Sequence, residues 1–592
     1  MKIQKRIIFV LICIMTAMSI LIGRLIQVQL VSTESFTKKG INLIEKSVAQ
    51  RTHTIVIDDG RGRFVDRNGE GLSEDFYPNL ILFPFLKGMN WPVEQVASIL
   101  NIKKDDLLAK IAVAKAPFPY GDSKPLRLTQ AQMEKINALQ IPGVVAAKAQ
   151  TKEHQPIAEH LIGIVAQNAN LVKERYPQKL QEGKVTETTS IGITGLQEAF
   201  DEFLLTDGEA KLLYHVDRQG DPIFGKNVKY TQPANPYYPV VIKATIDKEL
   251  QKTAENIVSK YNMKKGGLIL LDVKTSEILA MVSKPSFNVK GETWNNQMLM
   301  SQFPGSVFKT VIAAAAIDQG MIQEGRTFNC DTDLYGTGKP EHPMGNLTFE
   351  QSFARSCNRT FAVLGQELLK KDSNMIEKYA NMLGLINTTG WKGDVFHFLN
   401  FSQLSKEEKG VIWADEKDKG VPKAVAQTSI GQKDVRVTPL AVANMMATIA
   451  RGGEKLEVKA VKEIDYKNGT KLYQFPTHKI AEDNLSNKTI ARLQQLLRAV
   501  VATSNGTGAV FQGLPYSVAG KSGTAEGGKE EVVNKWFAGY FPYENPKYAL
   551  VVVDLETTSP ESVSKNIYRD YVQAIYELNQ AEQKRVYNGQ GM

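Results

Sequence analysis

Pro304-Gly305-Ser306-Val307-Phe308-Lys309 leads into a run, Val307 to Ile317, that is apolar on nearly every helical face. The Pro-Gly pair reads as a turn that starts a helix. It puts Ser306 in the first turn and Lys309 three residues on, so the two side chains share a face. A helix apolar all round belongs in a core. A serine hydroxyl becomes a nucleophile when a neighbouring base takes its proton, and a lysine is such a base once desolvation or a second cation keeps it neutral. Alone, the pattern decides little. Ser35 to Lys38 and Ser562 to Lys565 repeat it, and a serine at a helix start is ordinarily a cap.

Working outward, Ser356-Cys357-Asn358 and Lys521-Ser522-Gly523-Thr524 follow in order. Each has a bland reading, a polar pair in a loop and a lysine on a strand edge, but together with Ser306 and Lys309 they make a catalytic set. Their surroundings agree. Gly267 to Val273 and Glu277 to Val282 read as a β-hairpin, and Tyr516 to Ala525, Trp536 to Phe541 and Tyr548 to Glu556 as three more strands. Ser562 to Leu578 is an amphipathic closing helix. Strands at both ends of a helical middle predict an α+β domain over 241–592, with a central antiparallel sheet flanked by helices.

Residues 28–240 carry no such constellation and read as a platform. Val93 to Leu100, Asp105 to Val113 and Thr129 to Leu139 have helical spacing, Tyr238 to Ile246 reads as a strand, and Gly60 to Gly69 as a strand closed by an Asn68-Gly69 hairpin turn. At the N-terminus, Lys2, Lys5 and Arg6 precede an apolar run from Ile7 to Gly23, with no small-x-small cleavage site after it. This is the pattern of an uncleaved signal-anchor: a cytoplasmic tail 1–6, a membrane span 7–27 and the rest outside. A buried core helix is the bland alternative.

The 592 residues exceed what one core organises. The net charge of +9, 72 basic against 63 acidic residues, suits an anionic membrane or wall polymer. No basic run interleaved with aromatics suggests nucleic acid. Cys13, Cys330 and Cys357 include no CxxC and no His-Cys cluster, so no metal or cofactor is implied. Cys330 and Cys357 are available to pair, but a chain this large does not depend on one bridge, and two thiols are the expectation. The Lys- and Ile-rich composition leans to a Gram-positive envelope.

At these motifs the chain resembles class B penicillin-binding proteins, whose signature is Ser-x-x-Lys, Ser-x-Asn and Lys-Thr-Gly; here Ser522 stands in the threonine place and keeps the hydroxyl. Gly60 to Gly69, His160-Leu161-Ile162-Gly163 and Gly192-Ile193-Thr194-Gly195-Leu196 resemble markers of that family's non-catalytic, dimerisation-like pedestal. Thr245-Ile246-Asp247, Ile430-Gly431-Gln432, Thr438-Pro439-Leu440 and Trp536 to Tyr540 resemble landmarks of its transpeptidase domain. Three departures stand out: Gln197 for Glu, Lys433-Asp434 where a Gly is usual, and Arg451 for Asn.

The resemblance implies a serine β-lactamase-like fold and a D,D-transpeptidase of peptidoglycan stem peptides. Ser306 would attack the penultimate D-Ala carbonyl and Lys309 accept its proton. Ser356 would relay protons, Asn358 bond Lys309 and the substrate amide, and Lys521 depress the Lys309 pKa. Ser522 and Thr524 would hold the substrate carboxylate, and Gly523 leave the cleft wall open. The N–H groups of Ser306 and Thr524 would form the oxyanion hole. β-Lactam antibiotics would acylate the same serine. A membrane glycan polymerase and other wall-synthesis proteins are the implied partners, because 28–240 shows no glycosyltransferase-like domain. Three other readings compete: a β-lactamase, a membrane β-lactam receptor, and a scaffold whose catalysis is dispensable.

Overall fold

The structure, a computed structural model, describes residues 2–31, 42, 51–72, 74–121, 125–152, 157–205, 208–217, 228–232, 235, 237–287, 294–340, 342–480, 484–526 and 531–589. The Ser35 to Lys38 repeat lies outside them. The N-terminal helix Lys2–Ile26 is, at 1.5 Å per residue, about 37 Å long. It is apolar enough to cross a bilayer and buries none of its side chains, consistent with a membrane anchor.

The chain divides into two compact units. One comprises Met1–Gly60, Phe76–Thr151 and Asp207–Asn235. In it the strand Thr52–Asp58 pairs antiparallel with Ala210–His215, whose Ala210, Leu212 and Tyr214 point inward at every second position. The three expected helices form, as Val93–Leu100, Lys104–Val113 and Gln130–Ala138. The last is started by Thr129 and Gln132, each side chain bonding the other's backbone in a capping box.

The second unit comprises Arg61–Asp75, Lys152–Thr206 and Pro236–Met592. Residues 61–75 and 152–206 therefore fold with the C-terminal part, and the expected linear division at residue 240 is not the one the contacts make. The cause is local: the strand Arg63–Val65 pairs in parallel with Val241–Ala244, burying Phe64 completely, and Leu161 and Phe200 enter the same core. The Asn68-Gly69 turn closes on Asp66, whose backbone N–H donates to the Glu70 carbonyl, but only a single bridge follows, so the expected hairpin is one turn.

The central sheet has the order Ile278–Lys284, Gly266–Asp272, Tyr548–Thr557, Val533–Phe541, Ala519–Glu526, antiparallel throughout. Helices cover both faces, which is why Ala549 to Val553 is a continuous apolar run rather than an alternation. Leu550 and Val552 pack with Leu250, Ala254, Tyr568 and Tyr571 of the helices Lys248–Lys260 and Val563–Gly589. Val551 and Val553 join the opposite core, which contains the helices Lys309–Asp318 and Pro439–Ala450. Each fully buried Val or Leu contributes about 1.5–3 kcal/mol of transfer free energy. The strand Ala519–Glu526, which carries Lys521, is left on the sheet edge with one side free to line a site.

Candidate active site

Ser306 does not begin the long helix. It lies in a separate 3₁₀ turn, Gly305–Phe308, that feeds the helix Lys309–Asp318. Gly305 has φ 54°, and a Cβ there would lie 2.2 Å from the Thr524 carbonyl oxygen, so only glycine lets the turn touch the edge strand. Gly523 makes the reciprocal approach: a Cβ would lie 2.5 Å from the Pro304 carbonyl oxygen. It was expected to leave the cleft wall open, but the space its missing side chain vacates is filled by the nucleophile's own turn. The Thr524 carbonyl points at Gly305, and the N–H of a strand residue points to the same side as its carbonyl. The Thr524 N–H is thereby directed toward the Ser306 turn. The Ser306 N–H lies in the first residues of that turn, where donors have no partner within the turn.

Lys309 is completely buried. Its Nζ donates to the Ser356 carbonyl at 2.7 Å and contacts Ser356 Oγ at 3.0 Å and Asn358 Oδ1 at 2.6 Å. No hydrogen bond joins it to the Ser306 hydroxyl, a looseness usual before substrate arrives. Burial first, and then the charge of Lys521, hold its pKa well below the usual lysine value. A neutral amine has two N–H donors and one lone pair. All three contacts have Nζ as donor, so a neutral Lys309 releases one of them and frees its lone pair for an incoming proton.

Ser356 caps the helix Phe349–Arg355 in a left-handed conformation, φ 61°, which a non-glycine residue holds at a cost of about 1–3 kcal/mol. That turn aims both its carbonyl and its hydroxyl at Lys309. Lys521, also completely buried, donates to Ser356 Oγ at 3.0 Å from the other side. Burial, and next the Lys565 charge, lower its pKa to about 7. Ser356 Oγ thus sits between two lysine nitrogens. Asn358 is exposed at the start of the helix Asn358–Lys371, with its Oδ1 on Lys309. Ser522 Oγ donates to Thr507 Oγ1 at 2.8 Å, and Thr524 is exposed at the strand edge.

Cys357, between Ser356 and Asn358, is disulfide-bonded to Cys330, correcting the expectation of two thiols. The strand Thr327–Asn329 folds back on Asn346–Thr348 just ahead of the helix leading to Ser356, and this return brings the cysteines together. Sequence spacing alone contains no sign of it. Thr507 and Lys565 were also missed, the first for want of any motif.

The three departures have structural counterparts. Gln197 accepts both Nε and Nη2 of Arg61, at 3.1 and 2.8 Å, beside the Arg61–Asp201 ion pair. Lys433 adopts φ 61°, the left-handed conformation a glycine takes freely, and its ammonium is fastened by Asp418 and Asp434. Arg451 donates to the Val273 carbonyl and to Ser276 Oγ, pinning the turn of the Gly266–Lys284 hairpin.

Residues 266–573 match the model of the penicillin binding protein transpeptidase domain. The chain belongs to that family. It is a serine-type D,D-transpeptidase of the class B architecture, with an N-terminal apolar helix ahead of an α+β catalytic domain. It is 25% identical over 576 residues to the peptidoglycan D,D-transpeptidase FtsI of Escherichia coli, covering 91% of this chain and 85% of that one. It is 24% identical over 589 residues to the stage V sporulation protein D of Bacillus subtilis, covering 93% and 81%. A chain of a peptidoglycan synthase complex, solved for its structural coordination of polymerization and crosslinking, superposes with a TM-score of 0.62 at 22% identity, covering 96% and 98%. Relatives from both envelope types match equally well, so the lean to a Gram-positive source is not supported.

Proposed function

We propose that this penicillin-binding protein cross-links peptidoglycan stem peptides through an acyl-enzyme on Ser306. The observation that carries the reading is the pair of completely buried lysines meeting at Ser356 Oγ. Two cations share that space only if one gives up its proton. Lys309, held down by burial and by the charge of Lys521, is then neutral and ready to take the Ser306 proton as the hydroxyl attacks the penultimate D-Ala carbonyl. The N–H groups of Ser306 and Thr524 receive the oxyanion, each worth about 3 kcal/mol. Ser356 passes the proton to the departing D-Ala nitrogen, and Asn358 holds Lys309 and the substrate amide. Lys521, Ser522 and Thr524 seat the terminal carboxylate. Attack by an amine of a second stem peptide reverses the sequence, resolves the ester and forms the cross-link. A β-lactam enters the same way, but its leaving group stays tethered.

In this reading the apolar helix anchors the chain in the plasma membrane with the catalytic unit outside, the unit containing Phe76–Thr151 and Asp207–Asn235 serves as pedestal, and a membrane glycan polymerase supplies the strands. The resemblance to a chain of a peptidoglycan synthase complex supports that partnership. Labelling of the purified full chain by fluorescent penicillin tests the reading. Stable labelling lost in Ser306→Ala is expected; a folded wild type that takes no label overturns it in favour of a scaffold.

A further inference from the structure

Lys565 opens the first turn of the closing helix Val563–Gly589, half-buried. A cation is unfavourable there on three counts: the helix N-terminus is itself positive, water is partly excluded, and other lysines are near. No carboxylate answers it among the described residues. Its Nζ donates to the Thr507 carbonyl at 2.8 Å. Burial and then the charge of Lys535 push its pKa down, while its own charge acts on Lys521. Lys535 in turn is tied to the carbonyls of Ser559, Pro560 and Glu561, directly ahead of the helix.

Thr507 is the junction. Its N–H donates to the Ala354 carbonyl at 3.0 Å, two residues before Ser356, and its Oγ1 accepts from Ser522 Oγ at 2.8 Å. One residue thus joins the helix that presents Ser356, the strand that presents Lys521 and Ser522, and the closing helix.

We propose that Lys565 is a positioning residue for the transpeptidase reaction, holding Ser522 in place through Thr507 and setting a further positive charge behind Lys521 where the substrate carboxylate binds. The inference rests on Lys521 to Thr524 being the seat of that carboxylate. The charged groups around Lys521 are Lys309 from the buried helix, Lys565 from the closing helix, and Arg498 of the helix Asn487–Ala502, which donates to Val518 at 2.9 Å at the start of the strand. None of them is acidic, and Lys565 is the one whose charge bears on Lys521, so removing it lets Lys521 keep its proton to higher pH.

The test is the pH profile of acylation of the full chain by fluorescent penicillin, whose carboxylate needs a protonated Lys521. In the wild type the alkaline limb follows the loss of that proton. Lys565→Gln and Lys565→Met move the limb up by about one pH unit. Lys565→Met, which also drops the bond to Thr507, lowers the optimum rate about tenfold, a typical loss for one hydrogen bond to a charged group. Lys565→Arg restores the wild-type limb. Lys565→Gln guards against misfolding of Lys565→Met, because it keeps a donor. A limb unmoved in Lys565→Gln, with the wild type labelling normally, overturns the inference alone; a wild type that does not label overturns the site reading beneath it.

Discussion

Ser306 to Lys309 and Ser562 to Lys565 share one four-residue pattern, and both start helices of the same compact unit. At the first, the lysine points inward, loses all contact with water and meets Ser356 and Asn358. At the second, the lysine reaches a backbone carbonyl of a distant loop, and the Ser562 hydroxyl meets that of Ser564. What separates nucleophile from support is therefore what faces the lysine: a second buried cation across a shared hydroxyl in one case, a loop carbonyl in the other. The two tetrads nevertheless belong to one charge system, because Lys565 acts on Lys521 and Lys521 on Lys309.

The most severe way to break the comparison is to exchange the serines. Ser306→Ala is expected to abolish penicillin labelling, by about 10⁴-fold or more. Ser562→Ala is expected to label as the wild type does, measured side by side on gels. The next step removes the inner lysine. Lys309→Met lowers the acylation rate by about 10³-fold, the upper range for a general base, yet raises the thermal unfolding midpoint by a few degrees, since a buried amine gives way to an apolar chain of similar length. A midpoint that falls instead would mean that the bonds to Ser356 and Asn358 outweigh desolvation.

The lysine pair is sharpened by pH. Lys521 needs its proton to hold the carboxylate, and its pKa lies at about 7, so acylation rates should fall as pH rises through that value; a rate that keeps climbing would assign the proton elsewhere. Mildest in rate is the link between the tetrads. Thr507→Val, which keeps the loop's shape but releases Ser522, should reduce acylation about tenfold. For the loop that faces the first lysine, replacing both Cys330 and Cys357 by Ser removes a bridge across 27 residues. This should cost about 3–4 kcal/mol of stability, seen as a lower urea midpoint.

Much of this was legible beforehand. The hairpin and the three later strands are short, largely apolar runs and the closing helix is a period-3.6 pattern, and they emerge within a few residues of their expected ends, the helix alone running on to Gly589. The motif residues converge because Ser306, Lys309, Ser356 and Asn358 sit where helices begin or end, against the edge strand that carries Lys521 to Thr524. The 3₁₀ turn at Ser306, the role of Gly523, the disulfide and the Lys565–Thr507 link were not legible. Each depends on which distant segment lies opposite, and nothing in local spacing encodes that. The half-buried Lys433, in the backbone conformation of a glycine, shows the same limit from the other side: the departure is visible in sequence, its accommodation by Asp418 and Asp434 only in three dimensions.

The short strand Arg63–Val65 carries a consequence for how the chain is made. Synthesis delivers it long before its neighbour Val241–Ala244, and that neighbour must itself wait for Val461–Asp465 on its other edge. Three-quarters of the polypeptide must therefore exist before this sheet can close, and until then Phe64 has no pocket to fill. Such late, long-range closure slows assembly and prolongs exposure of sticky surface. A shortened gene starting at residue 241 would make that exposure permanent, yielding a catalytic unit with an open strand edge and a tendency to precipitate.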